Sequence, residues 1–172
     1  MTEPSTHFRE TPPHEVSRTE TGERFVVFDC ETSHIDGLLR FIRKDSEQQP
    51  SSWKDLQSIL YAGEKCQFIH IPDLVRPYVY EYVDDWTAWE IAIFASRHNF
   101  QDIFKLAVIE LHNVDWPEPG RRDKMPISCL EDLSIGYARA LVTAMHKHKG
   151  CHYVNEEERW RDISESFKLE DD

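Results

Sequence analysis

The side chains best placed to do chemistry are two carboxylates at the end of an apolar run. Phe25-Val-Val-Phe28 leads into Asp29-Cys-Glu31, and Thr32 follows. Two carboxylates hung from a strand end can hold divalent metals for phosphoester hydrolysis, provided two further carboxylates complete the site. The candidates, around Asp102 and between His152 and Asp162, have the wrong spacing, and helical patterns follow where further strands are required. A strand ending in acidic residues before a capped helix is common, and the non-catalytic reading stands ahead.

A second cluster is His146-Lys-His-Lys-Gly-Cys-His152. It offers His146, His148, Cys151 and His152 as potential zinc ligands within seven residues. His146 and His148 are two apart on a helix and point to different sides. No second ligand cluster accompanies them. A polar helix end with cationic residues, favourable to the dipole, accounts for the same residues. The expectation is no metal and no cofactor. Nucleophilic catalysis lacks local support, because Cys66 and Cys129 sit in apolar settings. The six glycines are scattered singly and form no phosphate loop.

The third grouping is aromatic. Tyr78, Tyr80, Tyr82, Trp86 and Trp89 fall within twelve residues and cannot all point inward on one helical face. An exposed aromatic patch is what protein interfaces use as anchors. Tyr78, Tyr82, Trp86 and Trp89 are therefore the candidate protein-contact residues.

The elements that must position these groups read as mainly α. Glu23–Asp29 is the one convincing strand. Thr32 or Ser33 caps a helix with Ile35, Leu38, Leu39 and Ile42 as its stripe. Ser51 or Ser52 caps the next, with Trp53, Leu56, Ile59, Leu60 and Ala62 inward. Pro72 opens a helix carrying Leu74, Val75, Tyr78 and Tyr82, which Pro77 kinks or breaks. Asp84 or Asp85 caps a helix with Ala88, Ile91, Ala92 and Ala95 inward, and His98-Asn99 stops it in a left-handed conformation. Ile103, Phe104, Ala107, Val108 and Leu111 mark another helix. Ser128 is expected to cap one long helix to about Lys149, ended by Gly150. Asn155 opens the last, with Trp160, Ile163 and Phe167 on one face.

The 172 residues make one domain with tails. The expected organisation is a disordered arm over 1–22, a helical module over 23–112, a Pro-rich loop over 113–126 as subdomain boundary, a helical extension over 127–167 and an acidic tail over 168–172. Forty per cent apolar residues, with 5 Trp, 6 Tyr and 9 Phe, can fill a core. No apolar run approaches the roughly 18 residues of a membrane helix. Met1–Thr21 has no apolar core of a secretory signal. The net charge of −12 disfavours nucleic acid and anionic membranes, and the local basic residues Arg121, Arg122, Lys124, Lys147 and Lys149 lie near acids. Cys30, Cys66, Cys129 and Cys151 are widely spaced, which points to free thiols in a reducing compartment. The expected location is intracellular, cytoplasmic or nuclear.

Three segments together resemble the BTB/POZ proteins of mushroom-type fungi. Phe25-Val-Val-Phe28 with Leu38-Leu-Arg-Phe-Ile42 is similar to that family's strand and its "LLRFIY"-type helix. Trp53–Val83, with Pro72-Asp-Leu-Val75, is similar to its last helical hairpin. Phe94-Ala-Ser-Arg-His-Asn-Phe100 and Lys105-Leu-Ala-Val108 are similar to the "ACRHGF" and "A-KLAA" segments that follow the domain. Ile127-Ser128, Tyr137, Leu141, His148 and Cys151 match more loosely. The similarity covers Glu23 to Cys151 and implies a short strand followed by stacked helical hairpins, a BTB/POZ-like C-terminal half with an α-helical extension. The domain's N-terminal half, with the first helix of its dimer interface, is missing. The resemblance implies a non-catalytic protein–protein interaction module, an adaptor or scaffold that holds another protein or a second copy of itself, with no small-molecule substrate. The alternative is a DEDD-type metal-dependent 3′-5′ exonuclease using Asp29 and Glu31.

Overall fold

A computed structural model of the chain describes residues 16–18, 24–26, 30–43, 49–114 and 125–169. Asp29, the basic residues Arg121, Arg122 and Lys124, and the acidic residues 170–172 lie outside them. So does the expected disordered arm, except at 16–18. The fold is mainly α. Its helices are α1 (Thr32–Arg43), α2 (Trp53–Lys65), α3 (Ile71–Val79), α4 (Ala88–Arg97), α5 (Gln101–Glu110), α6 (Ile135–Lys147) and α7 (Glu156–Ser166). The chain divides into two compact units, Met1–Gln49 with Ser58–Ile71 and Pro50–Gln57 with Pro72–Asp172. The expected boundary in the Pro-rich loop is therefore not where the chain divides.

In the first unit, β2 (Arg24–Val26) lies inside the expected strand. It pairs antiparallel with β1 (Val16–Arg18), with Ser17 opposite Phe25. The expected disordered arm thus contributes a strand. Val-Ser-Arg is too short and polar to declare itself, and the pairing supplies what its own pattern lacks. Helix α1 buries Leu38 fully, while Leu39 and Ile42 of its stripe stay 40% and 39% exposed. His34 meets Tyr61 edge-on at 5.7 Å between ring centroids. Helix α2 ends at a left-handed residue, Gln67 (φ 57°). The N–H of Phe68 reaches back to the carbonyl of Gly63 at 2.8 Å and satisfies an orphan acceptor.

In the second unit, Ser52 begins α2. Its hydroxyl accepts from the N–H of Asp55, whose carboxylate accepts from the N–H and hydroxyl of Ser51. Pro72 sits in the first turn of α3, where a missing N–H costs nothing. Pro77 lies inside the helix, which stops two residues later and tightens into a 3-10 turn, Tyr80–Tyr82. Helix α4 ends at Asn99 (φ 58°), with the N–H of Phe100 on the carbonyl of Ala95 at 2.9 Å.

Helix α4 packs on α5, α5 on α7, and α7 on α6. The expected helix from Ser128 to Lys149 is two elements, a 3-10 helix Ile127–Asp132 and then α6. Leu133 and Ser134 between them are extended. Ser134 donates its hydroxyl to the carbonyl of Ser96 at 3.0 Å, and its N–H faces the Ser96 hydroxyl at 3.3 Å. A continuous helix would forfeit this contact with α4, and helical periodicity carries no trace of it.

In the first unit Gly63 lies close against Ile71. A Cβ there would stand 2.7 Å and 2.9 Å from the two γ-carbons of Ile71 and 3.0 Å from its Cβ. Gly63→Ala gains about 1 kcal/mol of helix propensity against an overpacking cost of about 1–3 kcal/mol. Ile71 is buried and branched at the point of contact, so the cost dominates. Urea unfolding is expected to show a net loss of stability.

Candidate functional site

The candidate contact residues occupy the chain from α3 to the start of α4. Trp86 is 90% exposed. It sits in a turn built by its neighbours. The Asp84 carboxylate accepts from the N–H groups of Trp86 and Thr87, both at 2.9 Å. The Asp84 N–H donates to the Thr87 hydroxyl at 3.1 Å. That hydroxyl has one proton and two acceptors within reach, the Tyr82 carbonyl and the Asp84 carboxylate. Asn113 holds Asp85 at 3.0 Å. The indole is thus presented to solvent from a fixed backbone.

The other candidates divide. Tyr82 is half-buried, and its hydroxyl donates to the Pro50 carbonyl at 2.5 Å. Burial pushes its phenol up from the ordinary value. Tyr78 and Trp89 are half-buried as well. The expected patch therefore narrows to Trp86 with partial contributions around it. Its helical neighbour in the pattern, Trp89, turns inward because α4 begins between them.

Tyr80, 41% exposed, belongs to a polar network on the same stretch. Asp102 accepts from Arg76 at 2.7 Å and from the Tyr80 hydroxyl, and Arg76 lies over the Phe100 ring at 4.9 Å from its centroid. Partial burial raises the Asp102 carboxyl, but the bonds from Tyr80 and Arg76 together outweigh it and leave the carboxyl below its ordinary value. The bond to Asp102 pushes the Tyr80 phenol up. A surface ion pair of this kind contributes about 0–1 kcal/mol.

The zinc candidates do not converge. His146, Cys151 and His152 are exposed. His148 is half-buried, with Nδ1 at 2.5 Å from the Tyr153 hydroxyl and Nε2 at 2.7 Å from the Ser166 hydroxyl. In the neutral ring one hydroxyl donates and the other accepts. His148 thus ties the end of α6 to the last turn of α7. Sequence reading missed this Ser–His–Tyr chain, because its members lie 5 and 18 residues apart with no local pattern. It has the bond of a nucleophile–base pair, but a phenol stands where a relay needs a carboxylate. Among the described residues no group of three or more His, Cys, Asp or Glu is placed to hold a metal ion.

Asp29 lies outside the described residues. Glu31 is exposed, accepts from the Ser33 hydroxyl at 3.5 Å, and starts α1 through its carbonyl. None of the four cysteines is in a disulfide. Burial, followed by the neighbouring Cys30, pushes the Cys66 thiol up and makes it a poor nucleophile. No helix among the described residues is long and apolar enough to cross a membrane.

Family models, curated proteins and solved structures give no match to this chain.

Because Asp102 is held below its ordinary value, its contribution is present above the unfolded carboxyl range and is lost as pH falls through the folded value. Denaturant melts at neutral pH and below about pH 4 are expected to show a smaller acid-induced loss in Asp102→Asn than in the parent chain. An equal loss would mean that the network contributes nothing.

Proposed function

We propose that the chain is a non-catalytic protein-interaction module of the BTB/POZ-derived kind, working inside the cell, in cytoplasm or nucleus. The observation that carries this reading is Trp86. Trp86 is 90% exposed and stands on a turn whose backbone is held by hydrogen bonds. Anchoring by such a residue needs no ordering of the backbone beneath it, which lowers the cost of association. The family resemblance of the helical segments agrees with this role. The partner is another protein or a second copy of the chain. The net charge of −12 favours neither nucleic acid nor an anionic membrane.

Trp86→Ala tests it. An exposed side chain away from the core changes stability by no more than about 0.5 kcal/mol, so the circular dichroism and melting temperature should stay as they are. Association, read by light scattering during size-exclusion chromatography and by capture on the immobilised chain, should weaken by about 2 kcal/mol. Trp89→Ala, in a half-buried position, should lower the melting temperature instead. A chain that stays monomeric at high concentration and captures no protein that Trp86→Ala loses would overturn the proposal.

The exonuclease alternative has its own assay. With magnesium or manganese the purified chain is expected to leave single-stranded DNA and RNA intact. Digestion abolished by Asp29→Ala would establish the enzyme.

A further inference from the structure

The second unit carries a groove of about 490 Å³ beside the N-terminal half of α6. Its volume falls in the range of small-ligand sites. Among the described residues two cationic side chains line it, Arg139 from α6 and Lys168 from just beyond α7, and no carboxylate does. The chain holds 32 acidic residues against 20 basic ones, so two cations and no acid among the described lining residues run against its composition. Arg139 and Lys168 have no ion-pair partner among the described residues.

The hydroxyl protons of the lining are already spent. Tyr137 donates to Asn99 Oδ1 at 3.0 Å, Thr143 to the Arg139 carbonyl at 2.9 Å, and Ser134 to the Ser96 carbonyl at 3.0 Å. What remains to offer a ligand is donor capacity of a different kind. Among the described residues the guanidinium and ammonium have no partner, and Asn99, whose oxygen accepts from Tyr137, has its NH₂. The ladder of α6 begins with Ala138 on the Ser134 carbonyl, which leaves the Gly136 N–H without an acceptor in the helix. A Cβ built on Gly136 meets nothing within 4 Å, so the backbone there is open to approach. These donors together suit an anion. The planar fork of Arg139 matches a two-oxygen face.

We propose that this groove binds a small organic oxyanion, a phosphate monoester or a carboxylate, with Arg139 and Lys168 as its counter-ions. The proposal is independent of the Trp86 contact, and the two can fail separately.

The test is calorimetric titration of the full chain with phenyl phosphate, benzoate and benzyl alcohol. At least one anion should saturate a single site, and the uncharged alcohol should not. Tighter binding of phenyl phosphate assigns the phosphate ester, and tighter benzoate the carboxylate. Arg139→Gln and Lys168→Gln should each weaken binding by about tenfold, the loss of one charge-assisted bond. Gly136→Asp, which places a carboxylate over the same backbone, should abolish it. Lys147→Gln removes the same charge outside the groove and should leave binding unchanged. All four substitutions are at exposed positions, and melting temperatures confirm that the variants are folded. No saturable binding of either anion at about 10 mM, where affinity would fall below ~3 kcal/mol, overturns the proposal. So does an equal loss in Lys147→Gln, which would show diffuse attraction, or binding indifferent to both Arg139→Gln and Lys168→Gln.

Discussion

The second unit depends on three aromatic rings that meet where three helices converge. Phe104 of α5 lies 4.8 Å from Tyr137 of α6 and 4.7 Å from Phe167 just past α7, and the last two are 5.5 Å apart. Burying each ring contributes about 1.5–3 kcal/mol, and each ring pair about 0.5–1.5 more. The surface ion pair of Arg76 with Asp102, at about 0–1 kcal/mol, is minor beside them. Burial pushes the Tyr137 phenol up to about 12, and its hydroxyl is committed to Asn99, the left-handed residue that stops α4. The core thereby sets the corner between α4 and α5.

Buried hydroxyls key the helices that the rings hold together. Ser96 and Ser164 are both about 3% exposed. The first gives its proton to the Ile93 carbonyl and takes the Ser134 N–H, and the second donates to the Lys105 carbonyl at 2.7 Å. An apolar core alone tolerates sliding by a helical turn. A buried hydroxyl does not, because sliding leaves it without a partner at a cost of about 1–3 kcal/mol.

The helical core was legible because its period is local. Ala88, Ile91, Ala92 and Ala95, then Ile103, Phe104, Ala107, Val108 and Leu111, then Trp160, Ile163 and Phe167 were all readable from spacing, and all are buried. Asn155 announced its cap and accepts from the Glu158 N–H at 2.8 Å. Leu39, Ile42 and Leu74 have the same spacing and stay substantially exposed, since period tells which face a residue shares and not what covers that face. What depends on distant partners was not readable. The strand Val16–Arg18 exists through its pairing, and the break before α6 through Ser96. The clamp on His148 exists through Tyr153 and Ser166. Within the aromatic cluster, only the turn geometry separates Trp86 in water from Trp89 half-buried.

The placement of Phe167 has a consequence for the order of events during synthesis. Phe104 and Tyr137 leave the ribosome well before it, and until it follows, their facing surfaces lack the ring that closes them. Helices α4, α5 and α6 can form as they emerge, yet the second unit waits on a residue 63 positions after the first of its three rings. A nascent chain halted before Phe167 would carry two open aromatic faces, the kind of surface that holding chaperones occupy.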